Sequence, residues 1–216
     1  MSLDAIKELR ERTGAGMMDC KKALGENGGD IEKSIDWLRA KGIAQAAKKS
    51  GRAATEGLVH AYIHAGGRIG VLVEVNSETD FVALTPAFKE LVADIAMHIA
   101  AAGPEFVGKD DVSADAIARE KEVQIARVIA EGKPAAVAEK IVDGRMGKFY
   151  EQVCLLEQKF VKDDSMTVQE MISAAIGKIG ENIKVRRFVR YELGAGLEKK
   201  VNDFAAEVAA QAGVQG

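Results

Sequence analysis

Apolar residues recur along this chain at two spacings, and the change from one to the other marks out its elements. From residue 3 the spacing is helical. Leu3, Ile6 and Leu9 share a face, and Thr13-Gly14-Ala15-Gly16 breaks it. Met17, Met18, Cys20, Ala23 and Leu24 then populate a second helix, ended by Gly28-Gly29. Asp30 caps a third, with Ile31, Ile35 and Leu38 on one side. These helices predict a small N-terminal module over residues 1–50. The small, basic run from Ala44 to Arg52 extends the third helix or serves as a linker, with its cations as a solvated face.

The period then drops to two. Val59, Ala61 and Ile63 alternate with Leu58, His60, Tyr62 and His64; Gly66-Gly67 follows, and then Ile69, Val71, Val73 and Val75 alternate with Gly70, Leu72 and Glu74. Two such runs joined by a glycine pair predict a β-hairpin. A third run with Val185, Arg187, Val189, Tyr191 and Leu193 on one face predicts a strand that completes an antiparallel sheet. Helices are expected to pack on it. One carries Phe88, Leu91, Val92, Ile95 and Ile99, and another opens with the capping box Thr167-Val168-Gln169-Glu170. The fold class is therefore α+β, with the sheet in a core over residues 51–216.

Two further helical runs complete it. Over residues 113–149, Ser113 caps a helix with Ile117, Ile125, Val128 and Ile129 as its seam, Gly132-Lys133-Pro134 turns the chain, and a second helix carries Val137, Ile141, Val142, Met146 and Phe149. The remaining positions are mostly charged or Ala, which predicts a protruding antiparallel helical hairpin, a short coiled coil. Leu197, Val201, Phe204 and Val208 mark a C-terminal helix over residues 197–212.

The stretch Glu74 to Ala83 joins the second strand to a helix that Thr85-Pro86 starts. It sets Asp80, a carboxylate, beside Phe81, a large ring. Two readings stand open. Asp80 can solvate the turn while Phe81 drops into the core, or both can be binding residues on a loop held by rigid elements.

Composition narrows the function. With 216 residues, a net charge of -3 and a pI near 5.8, the chain has no electrostatic draw toward nucleic acid or anionic lipid. Cys20 and Cys154 stand far apart, as in a reduced intracellular protein. No apolar run is long enough to span a bilayer, and no signal-peptide core is present, so a cytoplasmic location is expected. Gly103 to Asp110 approaches a phosphate-binding loop, but Asp110 stands where a hydroxyl should ligate magnesium, and the segment follows a helix. His60 and His64 have zinc-helix spacing but lie in a strand, where i and i+4 are about 13 Å apart. No nucleophile elbow exists. Neither enzyme chemistry, nor a metal site, nor a cofactor is expected.

The residues also resemble a family. Leu9 to Leu24 (LRERTGAGMMDCKKAL) is similar to the N-terminal signature of bacterial translation elongation factor Ts, and Glu74-Val75-Asn76 with Thr79-Asp80-Phe81-Val82-Ala83 to its second. Ala96 to Ala100, Glu139 to Met146 and Lys178 to Ile183 match further, so the resemblance covers essentially the whole chain. The first three helices likewise resemble a ubiquitin-associated (UBA-like) module.

The resemblance implies a guanine-nucleotide exchange factor for elongation factor Tu, met in its GDP-bound and nucleotide-free states. It implies that Thr79, Asp80, Phe81 and Val82 dislodge the partner's magnesium ion, Phe81 acting as the wedge, and that His98 supports the contact from the adjacent helix. Arg10, Met17 and Met18 match positions that touch the same GTPase domain. The chain has one hairpin and one Ile-Gly-Glu-Asn-Ile segment where longer members have two related halves, so it resembles the short form and is expected to be a homodimer, with the sheet or the helical hairpin at the interface. A non-exchange adaptor or scaffold using the N-terminal bundle is the alternative.

Overall fold

The computed structural model describes residues 2–197; apart from Leu197, the helix expected over 197–212 lies outside them. Among the described residues, eight α-helices and two antiparallel sheets make up the α+β fold. The first three helices are α1 (Leu3–Thr13), α2 (Met17–Glu26) and α3 (Ile31–Lys49). Ser2 and Asp30 cap α1 and α3 by accepting the amides of Ala5 and Lys33. Ile6, Leu9, Cys20, Ala23 and Leu24 form a small core under Ile31, Ile35, Trp37 and Leu38. Leu3 is exposed, as are Met17 and Met18, so the apolar face of each helix is narrower than its sequence pattern.

The basic run after Gly42 continues α3 to Lys49 and does not become a linker until the turn at Ser50. This second half packs on α8 (Val168–Ile179), and Ala46 joins the main core. Small residues permit the close crossing: a Cβ at Gly177 would lie 3.6 Å from the Gly42 Cα. Arg39 adds a tie by donating to the Ser165 carbonyl at 2.7 Å.

The three-stranded sheet runs β1 (Glu56–Ile63), β2 (Ile69–Ser77), β5 (Lys184–Glu192), antiparallel throughout with β2 central. Gly57 admits no side chain, since a Cβ there would stand 2.2 Å from the Val75 carbonyl oxygen and φ is +136°. On the inner face Val71, Val73 and Val75 meet α5 (Pro86–Ala102), whose expected stripe of Phe88, Leu91, Val92, Ile95 and Ile99 is buried throughout. Ile172 and Ile176 of α8 close the same core.

The third strand departs from the period-two reading. Glu74 faces Arg187 while Val75 faces Val185, so Arg186 is an extra residue, a β-bulge. The bulge splits the expected face: Val185 turns into the core, whereas Val189, Tyr191 and Leu193 stand outside. They join Val59, Ile63 and Leu72 on a sheet face that no described element covers. At one end of that face Glu74 bonds both Arg186 and Arg187, which hold its carboxyl down at about 2.

Between α5 and α8, α6 (Ala114–Ala130) and α7 (Ala135–Val153) run back along each other, with Ser113 as the cap of α6. Val128, Val142 and Met146 are buried between them, and Glu131–Arg145 and Lys121–Asp143 pair across the seam. Ile129 and Val137 are exposed, against expectation, because Ile129 lies about 100° around the helix from the buried Val128. Period-two alternation does not mark β3 (Lys159–Phe160) and β4 (Asp163–Thr167), a short hairpin that ends at Thr167, the cap of α8. Strands of two and five residues are too short to show alternation.

Candidate functional site

Backbone groups at the end of β2 decide where Phe81 points. The ladder with β1 ends at Ser77, leaving the amides of Glu78 and Thr79 without strand partners. Both donate to one carboxylate oxygen of Glu181, at 3.1 and 3.0 Å, and the Thr79 hydroxyl donates to the other at 2.7 Å. The same hydroxyl accepts the Val82 amide and caps α4 (Asp80–Ala83), a single turn. Ser77, fully buried, donates its hydroxyl to the Thr79 carbonyl.

The turn is anchored on its other side too. Ala83 is buried in the main core and Val82 packs against it, while the Thr85 hydroxyl donates to the Val82 carbonyl and caps α5. What remains is turned outward. Phe81 is 78% exposed, Asp80 is exposed, and Leu84 is 67% exposed. Positions 81 and 84 are three apart on a helical path and share a side. The reading in which Phe81 drops into the core does not hold: Ala83 and Val82 take the inward positions of the turn. Leu84 was missed by the sequence reading, and its only signal was its spacing from Phe81.

Arg10, Met17 and Met18 are exposed on the N-terminal helices. His98 is placed differently. It lies twelve residues after Pro86 on α5, about 18 Å along the helix axis, and is fully buried. Its Nδ1 accepts the Val161 amide at 3.3 Å, so the proton sits on Nε2 and is given to Gln158 Oε1 at 3.0 Å. Any part it plays in a contact is exerted through the β3–β4 hairpin that it holds, since it has no surface of its own.

Burial pushes the His98 imidazole below its usual value, and the Gln158 bond only partly opposes this. The unfolded chain therefore takes up the proton first as pH falls. The stability that the neutral ring contributes is complete above about 6.5 and is lost as pH drops from there toward the lower folded-state value. Urea unfolding between pH 7.5 and 5 is expected to show this loss, and His98→Leu should flatten that part of the slope while lowering stability overall. An unchanged slope would place the titration elsewhere.

Among the described residues no group of three or more His, Cys, Asp or Glu is placed to hold a metal ion, and no helix is long and apolar enough to cross a membrane. The arrangement presents an anchored apolar tip with a carboxylate beside it, which suits insertion into a second protein.

Comparison with known proteins agrees with the sequence signatures. The family model described as elongation factor TS matches residues 42–195. The chain is 64% identical to an elongation factor Ts of Desulforamulus reducens, over 98% of this chain and 97% of that one. It is 63% identical to one of Carboxydothermus hydrogenoformans, over 95% and 94%, and 60% identical to one of Geobacter metallireducens, over 99% and 100%. This chain belongs to the elongation factor Ts family.

Proposed function

We propose that this chain is a guanine-nucleotide exchange factor for elongation factor Tu, and that it releases GDP by inserting Asp80 and Phe81 near the magnesium site of that GTPase. The observation that carries the reading is the exposure of Phe81 on a turn whose base is fixed on both sides. An aromatic ring of this size left in water is unfavourable unless a partner covers it.

The chemistry is one of displacement. GDP is held through its phosphates and a magnesium ion that offsets their charge. A ring pressed into the groups around the ion moves the ligands that orient it, and loss of the ion leaves the phosphate charge uncompensated. Asp80 adds negative charge beside the ring. No bond is made or broken, so the factor needs no acid, base or nucleophile. Linkage closes the cycle: the ratio by which the factor weakens nucleotide binding is the ratio by which nucleotide weakens factor binding, so incoming GTP expels the factor. Arg10, Met17 and Met18 serve as docking contacts that hold the GTPase while the turn inserts.

The uncovered sheet face supports a second element of the proposal, that the chain acts as a homodimer paired through that face. Val59, Ile63, Leu72, Val189, Tyr191 and Leu193 are exposed there together. The helical hairpin, by contrast, keeps Val128, Val142 and Met146 buried in its own seam.

The direct test is release of labelled GDP from elongation factor Tu with and without the full chain. Acceleration is expected at substoichiometric factor. No acceleration would sink the exchange reading and favour an adaptor that uses the N-terminal helices.

A further inference from the structure

We propose that Glu181 is a positioning residue for exchange, setting the direction in which Phe81 is presented; this rests on the exchange reading above. α4 is four residues long, and one helical turn does not hold itself in water. Its orientation must come from its anchors. Glu181, 102 residues away in sequence from Thr79, supplies three of the polar ones. It takes the amides of Glu78 and Thr79 on one oxygen and the Thr79 hydroxyl on the other. With its proton given to Glu181, that hydroxyl turns a lone pair toward the Val82 amide, so the cap of α4 and the anchor form one network.

The clasp is reciprocal. Glu78 Oε1 accepts the amide of Asn182, the residue after Glu181, at 2.6 Å. Asn182 is buried, and its side-chain amide donates to the Arg52 carbonyl at 2.8 Å, tying in the segment that follows α3. Two turns distant in sequence thus hold each other by charge-assisted bonds, the stronger class. A tip that must enter a partner gains when its conformation is already set, because ordering it on binding would oppose association. Freed from Glu181, the turn would sample several directions, and only a fraction would carry the ring to its target. Docking by the rest of the surface would continue.

The test measures GDP release from elongation factor Tu against factor concentration, using the full chain. Glu181→Ala is expected to lower the limiting release rate by about tenfold, while the half-saturating concentration stays within about threefold. Glu181→Gln should recover most of the rate, because its amide oxygen can still accept both backbone N–H groups. Thr79→Val, which deletes the shared hydroxyl, should resemble Glu181→Ala and add little to it. The decisive comparison is the double variant Glu181→Ala/Phe81→Ala. If Glu181 acts through the ring, the double variant is no slower than Phe81→Ala alone. Equal slowing in both backgrounds would make Glu181 a general structural residue and overturn the inference, as would a Glu181→Ala rate equal to wild type. If wild type does not accelerate release, the exchange reading falls with it. If acceleration survives Phe81→Ala, the wedge falls. Loss with Phe81→Ala but not with Glu181→Ala overturns the role of Glu181 alone.

Discussion

Phe81→Ala is expected to slow GDP release from elongation factor Tu by ~30-fold or more at saturating factor, with little change in the stability of the factor itself. The two halves of this expectation come from one fact. Phe81 is 78% exposed, so truncating it removes almost no packing from the folded chain. Exposed substitutions of this kind stay within about 0.5 kcal/mol. A central aromatic contact of a partner interface, by comparison, is worth about 2 kcal/mol or more when cut to Ala, and each 1.4 kcal/mol is a factor of about ten in rate. The fall should appear in the limiting rate, because in the proposed mechanism the ring acts on the metal site after docking. Leu84→Ala, on the same side of the turn, should fall between wild type and Phe81→Ala. Asp80→Asn separates charge from shape: slower release would assign a part to the carboxylate, and an unchanged rate would leave the ring as the sole agent. A Phe81→Ala protein with the wild-type urea midpoint and the wild-type release rate would remove the wedge.

Much of this architecture can be read from residue spacing, and the exceptions have physical causes. The stripe on α5 and the caps Ser113, Thr85 and Thr167 follow from local periodicity and from side-chain bonds to nearby amides, so they were legible. The outward turn of Phe81 was not. Whether a ring beside a carboxylate goes in or out depends on which residues of a four-residue turn reach the core, and here Ala83 and Val82 reach it first. The bulge at Arg186 was hidden for a related reason: an unbroken alternation in the sequence cannot show that one residue drops out of the ladder. Glu181 sat inside a matched family segment, but its bonds span about a hundred residues, and no local pattern marks a contact of that range. His98 could be placed on its helix, whereas its burial depends on the β3–β4 hairpin, whose strands are too short to announce themselves.

That same bulge bears on assembly. By turning Val185 inward it leaves Arg187, Val189 and Tyr191 outward beside Glu74, Leu72 and Gly70 of the central strand. Leu72 lies at the middle of the face, with Ala61 of β1 opposite it on one side and Val189 on the other. Glu74 is already bonded to two arginines, so pairing this face with its copy would not strand a lone carboxylate. Leu72→Asp would do so. It places one unpaired charge from each chain at the centre of an apolar contact, a change that costs several kcal/mol when it cannot be relieved. In the separate chain residue 72 is 47% exposed, and the cost there is no more than the ~1 kcal/mol range of strand preference. Sedimentation at micromolar concentration is therefore expected to give twice the 23.1 kDa chain mass for wild type and the single mass for a folded Leu72→Asp. Tyr191→Glu, on the neighbouring strand, should act in the same direction. A wild-type monomer that still exchanges nucleotide would remove the dimer. A dimer untouched by both substitutions would move the interface to the helical hairpin. If two chains together supply what a longer relative holds in one, the Leu72→Asp monomer should also exchange more slowly while keeping Phe81 and Glu181 intact, which separates a fault of assembly from a fault of the wedge.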